Sequence, residues 1–332
     1  MNTKPDSQVQ NPPDKHHYIP QFYTKRWTTN GLLTVYEKRS HGIFVKERAP
    51  KATGYRSKLY SMRTVRKEIA KNYEKEFFEP TDTHAERAMF VLQQGKYVYR
   101  PELRLAWARF MSSLLLRCPE DLELFRKNWS NYILETPPAW EELYAATRKP
   151  DEPPTLAEKL KGIPDDESEI RMFRAFIGLI DHQNVLHYIK GMRWGVMDVG
   201  SANHKLLTSD RPVIRTGGLK QESGHIALAI SPTKLFVGAN DYQTLNYIKG
   251  ISANQLVREN NRQVVEGAMT FVYAHDRSQT AYIEKRFGTN PQPRLFDKFF
   301  RDRKRVIKLI DRGSEGGPDR SNQAPNNQPQ LR

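Results

Sequence analysis

Residues 32–47 read Leu-Leu-Thr-Val-Tyr-Glu-Lys-Arg-Ser-His-Gly-Ile-Phe-Val-Lys-Glu. The runs 32–36 and 43–47 are rich in β-branched and aromatic side chains. The polar link between them ends in glycine, as hairpin loops often do. This predicts an N-terminal β-hairpin, with residues 58–60 as a short edge strand. The pattern beyond it changes to helical spacing. Residues 68–78 and 83–94 carry apolar side chains on one face, among them Ala85, Met89 and Leu92. Pro101 suits a first-turn position and opens a helix to about residue 117, with Leu103, Trp107, Phe110 and Leu114 on one side and Pro119 as its stop. Helices are also expected over 120–134 and 139–147, and a long one over 167–189. Short apolar runs then return at 194–199, 204–208, 226–230 and 235–238. A helix over 252–266 follows, N-capped by Ser252, then strands at 269–274 and 281–284. Phe296, Phe299, Phe300, Ile307 and Ile310 mark a last amphipathic helix with a basic opposite face. Strands, then helices, then strands mixed with helices give an α+β fold: an N-terminal β-hairpin, a helical middle, and a C-terminal mixed or antiparallel sheet with helices. The hairpin is expected to return and pack against that sheet.

The chain has 332 residues, long enough to bury a core, and 38% of them are apolar. No run approaches the roughly 18 apolar residues of a membrane span, and an apolar signal segment is missing from the start. A lone cysteine, Cys118, excludes an internal disulfide and a cysteine-cluster zinc site. A reducing, cytoplasmic setting without membrane association is the expectation. The formal charge of +15 is unevenly spread: residues 15–71 hold 14 Lys/Arg against 3 acids, and residues 294–312 hold 8 against 3. Concentrated positive charge favours polyanions, so the expected partners are nucleic acid or an acidic protein. Oligomeric state is not readable.

Residues 1–14 and 313–332 are polar and rich in Pro, Gly, Asn and Gln. They cannot bury enough apolar area to offset ordering, and are expected to be disordered. Residues 15–312 are read as one domain, with a proline-laden break at 149–165 as the place where it would divide.

The densest cluster of chemistry is His16-His17-Tyr18-Ile19-Pro20-Gln21-Phe22-Tyr23. Spaced islands follow it: Glu74-Lys75-Glu76-Phe77-Phe78, Arg109-Phe110 with Arg117, Leu206-Leu207-Thr208-Ser209-Asp210-Arg211-Pro212-Val213, Ile230-Ser231-Pro232, and Phe271-Val272-Tyr273-Ala274. In content and order these resemble the domain-of-unknown-function family 4238, a set of mostly bacterial proteins, over roughly residues 15–290. Asp82 stands where the resemblance leads one to expect a glutamate. The family implies no established catalytic residues.

The residues themselves suggest several sites. Imidazole titrates near neutral pH and binds transition metals, so His16 and His17 are candidates. On an extended segment their side chains point to opposite faces, leaving one for a site and one for packing. The bland reading is a histidine that pins the entry strand to backbone. His16-His17, Asn30 and His41 imitate the order of an HNH nuclease. However, Asn30 precedes a strand and His41 sits in a hairpin loop, so the ββα geometry fails. Asp210, at the end of a strand, is placed to hold a divalent ion or a reacting group. Ser-Asp before x-Pro also makes ordinary turns. Asp82 and Glu86, one helical turn apart, are spaced to share a cation; Glu79 and Glu86 with Arg87 equally suit solvated ion pairs at a helix start. Asn184 and His187 extend an apolar row and read as a core pair, and Cys118 reads as a small core residue. Lys25-Arg26-Trp27, Tyr55-Arg56 and the last helix mix cations with rings able to stack on bases. The leading expectation is a metal-assisted hydrolase of nucleic acid or nucleotides. In it His17, Gln21 and Asp210 form the catalytic set, and Asp210, His16 and Asp82 hold Mg²⁺ or Mn²⁺. The alternative is a non-catalytic module binding nucleic acid or an acidic partner.

Overall fold

The computed structural model describes residues 15–66, 70, 72–95, 100–216 and 221–303. The expected disordered ends, part of the helix expected over 68–78, and the end of the last amphipathic helix lie outside these residues. Two compact units are present. One combines the chain up to Arg126 with Pro164–Leu295; the other combines Lys127–Ile163 with the chain from Phe296 onward.

The larger unit begins with a short strand, β1 (Lys15–His17), and a single helical turn, α1 (Gln21–Thr24), that starts directly after Pro20. The hairpin follows as β2 (Leu33–Arg39) and β3 (Gly42–Arg48), joined by the two residues Ser40-His41. Gly42 takes φ +130°, which an L side chain resists. The strands run longer than the apolar pattern because Glu37, Lys38 and Arg39 face solvent or pair with charges. The next strand, β4 (Tyr55–Ser57), pairs antiparallel with β1 and lies three residues before the expected edge strand. Lys58, at φ 53°, ends it, and Leu59 and Tyr60 turn into the core.

A π-helical turn at Glu74–Phe78 leads into α2 (Glu79–Gln93). After it come α3 (Pro101–Leu116) and α4 (Pro119–Leu134). Pro119 therefore opens a helix as well as closing one, its missing N–H costing nothing at a first turn. The expected long helix is two: α7 (Asp165–Ile180) and α8 (Gln183–Gly191), after α5 (Pro138–Thr147) and α6 (Leu156–Lys161). Arg109 bonds the Asp181 carboxylate at 2.7 Å and Ser112 bonds the Ile180 carbonyl at 2.7 Å, so α3 anchors the break. The phase change buries Leu186 and Ile189 and leaves Asn184 and His187 exposed. The expected Asn184/His187 core pair is thereby overturned; the His187 ring bonds the Gln183 carbonyl one turn back.

The remaining elements are β5 (Arg193–Asp198), β6 (Thr208–Ser209), β7 (Ile214–Arg215), β8 (His225–Ser231), β9 (Lys234–Ala239), α9 (Tyr242–Lys249), α10 (Ala253–Glu266), β10 (Phe271–Ala274) and α11 (Thr280–Arg286). Ser252 does cap α10, its hydroxyl accepting from the Gln255 amide. The strand expected at 281–284 is instead α11; short apolar runs do not separate the two states. Of the expected 204–208 strand only Thr208 joins a ladder, together with Ser209 beyond it. Before them, side-chain amides replace a partner strand: Asn261 Oδ1 accepts the Leu207 amide at 2.8 Å, and Asn261 Nδ2 donates to the Lys205 carbonyl at 2.9 Å.

Two four-stranded antiparallel sheets result, ordered β3-β2-β10-β6 and β5-β9-β8-β7. The first confirms the return of the hairpin, since β2 pairs with β10 from Phe271↔Glu37 to Ala274↔Thr34. Tyr23 joins the two sheets. Its hydroxyl lies 2.6 Å from Thr208 Oγ1 and donates to the Ala229 carbonyl at 2.9 Å. The core centres on Trp107 of α3, which meets Phe236 of β9 edge-on at 5.4 Å. Trp27 is fully buried and its indole N–H bonds the Leu206 carbonyl at 2.8 Å, so it is a packing residue and not a base-stacking one.

In the smaller unit, Glu141 of α5 accepts from the Leu156 and Ala157 amides, fastening the start of α6. Phe299, within the helical residues 295–303, stacks on Tyr132 at 5.7 Å, and Arg303 lies 3.9 Å from that ring's centroid. Phe296, Phe299 and Phe300 also meet one another as rings. No helix among the described residues is long and apolar enough to cross a membrane.

Candidate functional site

β1 splits its two histidines as an extended backbone requires. His16 turns inward: its Nδ1 accepts the Tyr60 amide at 2.8 Å and its ring stacks on Tyr60, with planes 10° apart. A nitrogen lone pair committed to a backbone N–H is not available to a metal, which removes Nδ1 from the expected ligand set. His17 points the other way, half-buried against Tyr55 at 5.5 Å. Burial lowers its pKa, a hydrogen bond to the Lys51 carbonyl opposes this, and the positive charges of Lys15 and Arg117 lower it again. The net effect favours neutral imidazole.

Glu74, first residue of the π-helical turn, reaches back to the backbone N–H of His17 at 3.3 Å. Insertions of this kind in helical segments are common at functional sites. Here the turn aims an acid into the interior: Glu74 is 7% exposed. Burial drives its pKa up to about 7, offset in part by Arg117 and raised again by Asp82. Arg117, just after α3, is wholly buried, flanked by the rings of Phe78 and Phe110 at 5.9 and 5.7 Å. It holds Asp82 of α2 at 2.9 Å. Burial raises the pKa of Asp82 while Arg117 pulls it down. Among the described residues, His17 Nε2, Glu74 Oε2, and Nε and Nη2 of Arg117 are buried without a hydrogen-bond partner. Such atoms are costly unless something meets them.

A cleft of about 420 Å³ is lined by Gln21, Phe22, Lys25, Pro50, Lys51 and Glu86 among others, and not by His17, Glu74 or Arg117. Lys51, on its wall, supplies the carbonyl that His17 meets. Glu86 lies one helical turn beyond Asp82, and Phe22 packs on Phe110 at 5.3 Å. Of the expected site residues, the structure brings His17, Gln21 and Asp82 to this region. Asp82 Oδ1 is taken up by the Arg117 ion pair.

Asp210 is elsewhere in its chemistry. It is 2% exposed, and its carboxylate accepts the Met269, Thr270 and Phe271 amides, clipping the entry of β10 to the end of β6. Burial raises its pKa to about 6 against the pull of these amides. Ser209 accepts the Arg211 amide at 3.1 Å, the turn that Ser-Asp-x-Pro suggests. Cys118 is buried and donates to the Asp210 carbonyl oxygen; burial raises its thiol pKa, as a core role requires. Among the described residues, no group of three or more His, Cys, Asp or Glu side chains is placed to hold a metal ion.

Glu74 and Arg117 were present in the motif islands, but sequence reasoning gave them no role. A signal existed for Arg117: a cation ending the apolar run Leu114-Leu115-Leu116 is out of place unless paired. Glu74 offered none, because its burial depends on the π-helical turn.

The Glu74 environment has a direct consequence for stability. A carboxyl whose folded pKa is raised contributes stability that is complete below its unfolded pKa, near 4.5, and is lost as pH climbs through about 7. His17 has the opposite sign, its contribution being lost as pH falls below 6.5. Glu74→Gln keeps an acceptor for the His17 amide and cannot ionise. Its unfolding free energy in urea is expected to match wild type near pH 4.5 and to exceed it above pH 7, by up to about 3 kcal/mol. Parallel pH profiles for the two proteins would contradict this account.

No curated protein and no solved structure matches the chain. The family model described as "Protein of unknown function (DUF4238)" matches residues 15–278, spanning the β1 histidines, the Glu74 turn, Arg117 and Asp210, and the chain belongs to that family.

Proposed function

We propose that the cleft beside α1 is the working site and that it hydrolyses a phosphate-bearing polyanion, nucleic acid or nucleotide. One observation supports this above the rest: His17, Glu74 and Arg117, from three distant segments, keep unpartnered buried polar atoms, and His17 meets the carbonyl of Lys51, which lines a cleft together with Lys25. In this reading Lys25 and Lys51 bind phosphate, and neutral His17 takes a proton from water. Glu74, poised near neutral pH, returns a proton to the leaving oxygen. Arg117 meets the charge that develops between them. Asp210 has no part in the chemistry. Were a divalent ion to take part, Asp82 would hold it, and it would supply charge neutralisation at the substrate phosphate, as Mg²⁺ often does.

The test is a mixed RNA, DNA and nucleotide panel with the full chain, with and without Mg²⁺ or Mn²⁺. Turnover that falls at least 100-fold in both His17→Ala and Glu74→Gln is expected. Binding should weaken steeply with salt and in Lys25→Glu/Lys51→Glu. Salt-sensitive binding without turnover would replace the hydrolase with a binding module. Turnover unaffected by either variant would refute the site.

A further inference from the structure

A small cavity of about 30 Å³ in the larger unit draws three arginines to its lining: Arg211, Arg215 and Arg294. The first two come from the run that leads from Asp210 into β7. Alternate residues of an extended run share a face, and Arg211, Val213 and Arg215 all line the cavity. That run is held at both ends. Ser209 accepts the Arg211 amide, and Arg215 pairs with Ile226 of β8. Gln292 adds an amide to the lining, and among the described residues no carboxylate does.

The three charges are unequally answered. Arg211 has Asp121 of α4 at 2.8 Å and Glu120 at 3.8 Å. Arg215 Nη2 donates to the Pro293 carbonyl at 3.2 Å, a neutral partner. Neither Arg215 nor Arg294 forms an ion pair among the described residues, so both acids stand with Arg211. The residues after Thr216, Gly-Gly-Leu-Lys at 217–220, bring no acid of their own. Burial lowers the pKa of Arg215, the Arg211 charge lowers it further, and Asp121 opposes them. Burial raises the pKa of Asp121, and Arg294 adds to the pull of Arg211 against it. All three guanidinium groups therefore stand close enough to act on one acid. A half-buried cation without a counter-ion has lost solvation that an anion would return.

The lining selects the anion. Guanidinium forks match the paired oxygens of carboxylates and phosphates. A space for about two or three water molecules takes a compact oxyanion and leaves an attached organic chain outside. Two cations without counter-ions favour a dianion over a monoanion. One feature opposes this: α10 ends at Gly267 on the lining, and a helix C-terminus disfavours anions. Its Val265 and Glu266 carbonyls are, however, taken up by the Gly288 and Asn290 amides.

We infer that this cavity binds a phosphate dianion, free or as the end of a small phosphomonoester, among Arg211, Arg215 and Arg294. It shares no lining residue with the proposed hydrolytic cleft, and the inference does not rest on that reading.

The probe is inorganic phosphate, titrated into the full chain by calorimetry at about pH 8, where the dianion prevails. Saturable binding at about 0.1–1 mM is expected. Arg294→Gln should weaken it about tenfold, through loss of one charge-assisted contact. Arg215→Met should abolish it without lowering the urea midpoint measured in the absence of phosphate, since a cation lacking an acid is removed. Glycerol 3-phosphate binding as tightly as phosphate assigns the site to phosphomonoesters, and much weaker binding assigns it to the free ion. Acetate and dimethyl phosphate, of one charge each, should bind about tenfold more weakly. Lys25→Glu/Lys51→Glu should leave phosphate binding unchanged; its loss there would move the phosphate to the first cleft and overturn this site. Absence of binding to wild type would overturn it as well. So would unchanged affinity in both folded arginine variants, or an Arg215→Met protein that is less stable and still binds phosphate. Acetate binding as tightly as phosphate would overturn the dianion.

Discussion

Asp210→Ala is expected to destabilise the fold by about 3–5 kcal/mol, as three buried backbone N–H groups would lose their acceptor together. Asp210→Asn keeps one acceptor oxygen and brings a donor into a site built only from donors, so it should fall near the alanine variant and well below wild type. Urea denaturation of the three proteins measures this directly. Loss of any activity in Asp210→Ala would then follow from loss of folded protein. A variant that stayed as stable as wild type would return Asp210 to the list of reacting groups.

The second large effect belongs to Arg117. Arg117→Met removes one partner of a buried ion pair and strips Glu74 and Asp82 of their nearest cation. The expected cost is about 3 kcal/mol, moderated because Asp82 is one-fifth exposed and can draw on water. Arg117→Met/Asp82→Leu removes the uncompensated charge as well, and should recover most of that stability, since apolar replacements of a buried pair are often neutral. Activity is expected to separate from stability across this cycle. The proposed turnover should stay at least 100-fold down in both the single and the double variant, because the group that meets developing charge is gone in each. A double variant that regained turnover along with stability would make Arg117 a scaffold residue only.

The fold was more legible than the site, for reasons that individual residues show. The hairpin, α3, α10 with its Ser252 cap, and β8 and β9 carry their own signals, because period, proline position and capping chemistry act over a few residues. The break between α7 and α8 did not show itself. It is made by Arg109 and Ser112, about 70 positions away, and it alone turned Asn184 and His187 outward. The segment 204–208 looked like a strand and is instead held by Asn261. The residues 281–284 formed a helix from an apolar run too short to carry a period. His17 and Gln21 were singled out by type and rigidity, and the structure shows Gln21 lining the cleft and His17 meeting the carbonyl of its Lys51 wall. Asp210 has the same composition in either role, and whether a carboxylate faces water or three amides is a property of its neighbours.

The amino-acid order thus determined the family, the α+β class, the hairpin and the concentration of positive charge near the N-terminus, all of them consequences of local pattern or simple sums. Tertiary structure alone decided which acid stands beside the paired histidines. Glu74 and Arg117 meet β1 because burial and a π-helical turn bring them there, and no spacing along the chain encodes a distance between segments 57 and 100 residues apart.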